Sequence, residues 1–247
     1  MRNRGIAAVV LVILIVGVIF IVKGCKKEDT PPADDQQQQQ EQTPGTPEDV
    51  TPETPVNVDD ELLTVVNPWN PLPEDWVSDL VTLSDGRRVD SRCYEAFEEM
   101  MDACRDAGYA PFLCSAYRTQ ETQQSLYDNK VQRLINSGMS EDEAKVEAAK
   151  TVAIPGTSEH QLGLAVDIVD ANMQDLTDEQ ENTETQKWLM ANSWRYGFIH
   201  RYPNDKTDIT GIIYEPWHYR YVGKAAAQDI FNRDITLEEY TGKTNQS

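Results

Sequence analysis

Ser158 to Asp167, reading Ser-Glu-His-Gln-Leu-Gly-Leu-Ala-Val-Asp, is the stretch that leaves this chain the fewest options. From Gly163 onward it alternates, with Gly163, Ala165 and Asp167 on one face and Leu164, Val166 and Ile168 on the other. That is strand periodicity, with an apolar face and a face kept clear around one carboxylate. His160 stands seven positions ahead of Asp167, and seven extended residues span roughly 23 Å. The two can share an ion only if the chain turns back between Gln161 and Gly163, where the glycine supplies the freedom such a turn needs. A histidine and an aspartate are half of a zinc site, because Zn²⁺ takes imidazole nitrogen and carboxylate oxygen in a tetrahedral shell.

Histidine is scarce enough to locate the other half: the chain has only His160, His200 and His218. His218 lies in the aromatic run Tyr214 to Gly223, with Glu215 three residues upstream. Catalytic zinc sites keep three protein ligands and a water, and a base is needed to take that water's proton. His160, Asp167 and His218 fit as ligands and Glu215 as the base. Any one of these residues alone is more often a satisfied polar group, but the set together favours a metal site. His200 precedes Arg201-Tyr202-Pro203 near an expected strand end, and three other ligands already suffice, so it is not counted.

Ser-x-His-x-x-Gly-x-Ala-x-Asp followed by Glu-x-x-His resembles the signature of the zinc D-Ala-D-Ala carboxypeptidases of the VanY type, a family with L,D-carboxypeptidase and phage endopeptidase relatives. The likeness runs from Val66 to Ile230. It takes in Asn70-Pro71-Leu72-Pro73, Ser115-Ala116-Tyr117-Arg118-Thr119, Pro155 to His160 and Tyr196 to Pro203, with no departure at the metal-site positions. The resemblance implies an α+β fold with an antiparallel sheet, a Zn²⁺ cofactor and peptidoglycan stem peptides as substrate. It favours Arg118 as the group facing the developing oxyanion, where a fixed guanidinium is worth several kcal/mol, over a purely structural ion pair. It also points to Ser158 and Gln123 as contacts for the substrate's terminal carboxylate.

Ahead of this domain the composition changes twice. Ile6 to Val22 is apolar apart from Gly17 and is flanked by Arg2, Arg4, Lys23, Lys26 and Lys27. As a helix it would cover about 25 Å, the lower end for a membrane span. No A-x-A cleavage site follows, so residues 1–27 are expected to be an uncleaved anchor. Lys23 makes Val22-Lys23-Gly24-Cys25 a poor lipoprotein box. Residues 28–60 carry a glutamine run, repeated Thr-Pro pairs and scattered acids, the composition of a disordered tether. Near-balanced flanking charges leave orientation to the substrate, and a cell-wall substrate places the domain outside the cell membrane.

Residues 61–240 suit a single compact domain with helices flanking a small sheet, and 241–247 a flexible tail. Helices are expected over Ser91–Ala107, Glu121–Gly138, Ser140–Val152, Thr177–Tyr196 and Lys224–Asn232. Strands are expected over Pro111–Tyr117, Phe198–Tyr202 and Gly211–Val222. Ser140 and Glu143 have capping-box spacing. Cys93 and Cys104 share a helix face about 16 Å apart, too far to bond, so a Cys93–Cys114 bridge is the favoured pairing, against three buried thiols as the alternative.

A net charge of −20 removes nucleic acid from the partners, since phosphate binding needs a basic face. A monomer is expected. Three functions remain in contention: a membrane-tethered zinc carboxypeptidase removing a terminal D-alanine by D,D or L,D cleavage, an endopeptidase on the same scaffold, and a non-catalytic cell-wall-binding domain. Glu215 speaks against the last, because a pure binding site has no use for a base.

Overall fold

The computed structural model describes residues 61–244. The expected apolar anchor, the 28–60 tether and the last three residues of the tail lie outside the described residues. Among the described residues, no helix is long and apolar enough to cross a membrane.

The spacing of apolar residues over 91–107 forms helix α1 (Ser91–Asp106), which buries Cys93, Ala96, Phe97, Met100, Met101 and Cys104. Asp90 caps it by accepting from the Arg92 amide. That stripe packs on Leu164, Val166 and Ile168 of the central stretch, so the expected apolar face is the core face. The strands are β1 (Leu80–Thr82), β2 (Arg88–Asp90), β3 (Pro111–Ser115), β4 (Ala165–Asp170), β5 (Phe198–His200) and β6 (His218–Tyr221). The first two pair with each other, and the others form an antiparallel sheet in the order β3-β4-β6-β5. The described residues thus form a compact α+β domain with small antiparallel sheets and flanking helices. In register, Asp167 lies opposite His218 on β6 and opposite Ser115 on β3.

Helices α2 (Gln120–Asn136) and α3 (Glu141–Ala149) pack on each other through Val131, Ala144 and Ala148. The capping box at Ser140 and Glu143 is present. A second core cluster gathers Leu63 and Val65 with Ile199, Val222, helix α6 (Lys224–Arg233) and helix α7 (Leu237–Thr241). Leu237 is wholly buried there, a contribution of about 1.5–3 kcal/mol for a side chain of its size.

Three expectations are corrected. The helix expected over 177–196 is interrupted: a 3-10 turn covers Asp178–Asn182, α4 is Glu184–Asn192, and another 3-10 turn runs to Tyr196. Thr183 is the cause, being extended and turning its hydroxyl to the Gln186 amide as a fresh N-cap. The strand expected over 211–222 keeps only its last third. Before it stand the single turn α5 (Thr207–Thr210) and a loop, because Gly211 is left-handed (φ 79°) against Pro68 and Pro216 has no amide for a ladder. The Cys93–Cys114 bridge is absent, and Cys93, Cys104 and Cys114 are free thiols. Leu113 points into the core with α1, so strand alternation turns Cys114 to the other face. Cys93 lies against the Asp90 carbonyl, its thiol pushed up to about 12 by burial.

Candidate active site

His160 sits in a single 3-10 turn, Glu159–Leu162, closed by Gly163 in the left-handed conformation at φ 79°. This is the reversal that brings it back to β4. A Cβ at Gly163 would crowd the Asp90 backbone at 3.2 Å. His160 Nδ1 donates to the Ala116 carbonyl at 2.7 Å, which leaves Nε2 as the free lone pair, 3.2 Å from Asp167 Oδ2. His218 Nδ1 lies 3.0 Å from Asp167 Oδ1. One donor atom from each of His160, Asp167 and His218 falls within 4.8 Å of the others, and all three residues are at most 3% exposed. Ligand bonds of zinc length in a tetrahedral shell put neighbouring donors roughly 3.3 Å apart. Two imidazole nitrogens and a carboxylate at this spacing fit the ion.

The electrostatics agree. Burial and the neighbouring Arg118 lower His160 to about 4, so its lone pair is free near neutrality. Burial opposes charge on His218, but its bonds to Asp167 and Glu159 outweigh that and raise it to about 9. Burial also works against the Asp167 anion, yet His160, His218 and Arg118 hold it well below the usual carboxylate range. These groups are arranged around positive charge, which a bound cation would supply in place of the His218 proton.

Glu215 lies in the loop that precedes β6. Its carbonyl accepts from His200 Nε2 at 3.1 Å and its amide donates to the Tyr202 carbonyl at 3.2 Å. The carboxylate lies 3.7 Å from His218 Nδ1, beside the ligand set and outside hydrogen-bond range. Burial raises it to about 8. His200, which donates from Nε2 to this backbone and packs edge-on against Tyr214, stands apart from the donor cluster.

Arg118 Nη2 donates to Asp167 Oδ2 at 2.7 Å and Nε to Ser115 Oγ at 2.9 Å. Gln123 is fully buried: its amide donates to the Ala153 carbonyl at 2.7 Å and its oxygen accepts from Arg118 Nη1 at 3.4 Å. It therefore braces Arg118 and does not face the cleft. Ser158 does line the cleft, and its hydroxyl makes no capping bond to the turn that follows. The cleft has a volume of about 460 Å³, and its walls include Arg118, Lys130, Arg133, Ser158, Glu215 and Trp217.

Residue types and spacing did not single out Glu159. Its Oε2 lies 3.4 Å from His218 Nε2 while Oε1 accepts from Arg201 and Arg220, both at 2.8 Å. The available signal was an acid next to a ligand histidine, and an arginine alternating with His218 in β6.

A buried two-histidine, one-aspartate set with a carboxylate beside it, open to a cleft on an antiparallel sheet, defines a zinc metallopeptidase. The family model for VanY, D-alanyl-D-alanine carboxypeptidase, matches residues 86–224. A D-alanyl-D-alanine carboxypeptidase of Enterococcus faecalis (strain ATCC 700802 / V583) is 46% identical over 197 residues, covering 78% of this chain and 72% of that protein. Two solved structures are similar. One is the vancomycin-resistance D,D-pentapeptidase VanY from a VanB-type cassette, a glutamate-to-alanine mutant in complex with Zn(II). It shows 46% identity and a TM-score of 0.66, covering 72% of this chain and 97% of that one. The other is VanYB in complex with D-alanine-D-alanine, with 45% identity and a TM-score of 0.68, covering 75% and 98%. This chain belongs to the VanY family of D-alanyl-D-alanine carboxypeptidases.

Proposed function

We propose that the domain is a D,D-carboxypeptidase releasing the terminal D-alanine of peptidoglycan stem peptides. In this reading His160 Nε2, Asp167 and His218 Nδ1 hold one Zn²⁺. The observation that carries it is the position of Glu215: a buried carboxylate on the cleft wall, 3.7 Å from a candidate ligand atom and outside the ligand set. A bound zinc ion polarises the scissile carbonyl and lowers the pKa of the attacking water. Glu215 takes the proton from that water and returns it to the leaving amine. Arg118, braced by Ser115 and Gln123, offers its guanidinium to the charge that develops on the carbonyl oxygen. Ser158 contributes a hydroxyl to the terminal carboxylate, and Lys130 and Arg133 give the cleft a positive wall. Gln123 acts through Arg118.

The similarity to a structure holding D-alanine-D-alanine supports D,D cleavage. The apolar run 6–22 and the polar stretch 28–60 support a single-pass anchor and tether, and a cell-wall substrate puts the domain, proposed as a monomer, on the outer side of the cell membrane.

One stem pentapeptide with a free and an amidated C-terminus tests the reading by mass spectrometry. A carboxypeptidase loses a charge-assisted bond worth about 1.5–3 kcal/mol on amidation, so cleavage should fall about tenfold to more than a hundredfold. Equal rates on both peptides would shift the assignment to an endopeptidase, and cleavage of neither to a binding domain.

A further inference from the structure

The oxygen of Glu159 that faces His218 belongs to a network that the reaction described above does not use. Glu159 Oε1 is committed to Arg201 Nε and Arg220 Nη1, each at 2.8 Å, which leaves Oε2 for His218 Nε2 at 3.4 Å. Arg201 spends its other two nitrogens on both oxygens of Glu238 in α7, at 2.8 and 2.6 Å. Glu238 accepts in turn from Asn67 Nδ2 at 3.0 Å. Arg220 Nη2 donates to the carbonyls of Leu62 and Thr64 at 3.0 and 2.9 Å. Glu159, Arg201, Arg220, Glu238 and Asn67 are each at most 1% exposed.

We propose that Glu159 is a positioning residue that fixes the tautomer and ring orientation of His218, and that both ends of the domain hold Glu159 in place for that task. The inference rests on the reading of His160, Asp167 and His218 as the zinc ligands. An imidazole has two nitrogens, and only one can keep its lone pair for a metal. A carboxylate on Nε2 keeps the proton there and leaves Nδ1 free to face Asp167. Outer carboxylates of this kind are worth about 10–100-fold in metal affinity or activity. A cluster built only for packing would have no need of an oxygen aimed at a ligand histidine. Two partners that complete the network, Asn67 and Glu238, lie outside the matched span 86–224.

The test measures zinc affinity by chelator competition, and the visible spectrum of the cobalt-substituted protein, for Glu159→Gln, Glu238→Gln and His218→Ala in the full chain. Glu159→Gln should bind zinc about 10–100-fold more weakly, with displaced cobalt bands that a remote packing change would leave alone. Glu238→Gln, acting through Arg201, should shift both readouts in the same direction by less. His218→Ala should lose far more affinity than either. Wild-type affinity in His218→Ala would remove the ligand assignment itself. Weak binding in His218→Ala with wild-type affinity and spectrum in both glutamine variants would overturn the positioning role alone. If Glu159→Gln does not fold, Glu238→Gln decides: a folded protein with unchanged zinc affinity and unchanged cobalt bands overturns it.

Discussion

The cluster of Glu159, Arg201, Arg220 and Glu238 and the cluster of His160, Asp167, Glu215 and His218 are both buried, yet only the first is matched charge for charge. Two carboxylates meet two guanidinium groups there, and every side chain in it is fully buried. Burial works against charge throughout, but Arg201 and Arg220 outweigh it and hold Glu159 well below the usual carboxylate range. In the second cluster two carboxylates share two imidazoles and one arginine, and the Glu215 carboxyl is pushed up to about 8. Matched charges hold a position. An unmatched set beside a cleft invites a cation and leaves one group ready to exchange a proton. The two clusters touch at His218.

Breaking the unmatched side should cost most. Glu215→Gln keeps the shape of the side chain and removes the base, so kcat should fall by about 10²–10⁴ while zinc content by metal analysis stays near wild type. Loss of zinc in this variant would make Glu215 a ligand and erase the distinction between the clusters. Breaking the matched side should act chiefly on stability, with the smaller loss of zinc affinity proposed above. Arg201→Met leaves Glu238 buried without a cation and Glu159 with Arg220 alone, and unfolding by denaturant should show a loss of about 3–5 kcal/mol. A loss below 1 kcal/mol would mean that water or a neighbouring side chain compensates the two acids. The smallest effect is expected one step further out. Thr236 caps α7 by accepting from the Glu239 amide at 3.2 Å, so Thr236→Ala should cost about 1 kcal/mol. Because α7 carries Glu238, that variant should also show faster hydrogen exchange at Glu238 and Leu237.

The unmatched cluster was far more legible in the sequence than the matched one. His160, Asp167, Glu215 and His218 stand out because histidine is rare in this chain and the alternation from Gly163 isolates one carboxylate. The turn at Gly163 followed from length alone. Gln123 illustrates the opposite: its place behind Arg118 depends on how α2 packs against the loop at Ala153, which no local spacing records. Glu159 and Arg201 are common residue types whose network is completed by Asn67 and Glu238 at the two ends of the domain. Local signals for two unexpected elements were nonetheless present. Asp85-Gly86 marks the turn joining β1 to β2, and Thr236 with Glu239 has capping-box spacing at the start of α7. Thr183 broke a helix that apolar spacing alone would have continued, since its hydroxyl competes for the backbone.

The register that sets Asp167 opposite His218 makes the site a proofreader of its own sheet. A slip of one residue between β4 and β6 would turn one of the two side chains to the opposite face, and the donor set would no longer converge. An ion held by both strands binds the correct pairing and not the slipped one, so at a concentration one hundred times its dissociation constant it would favour the correct pairing by about 2.7 kcal/mol. The same contact that prepares the chemistry would thereby sort correctly assembled chains from misassembled ones.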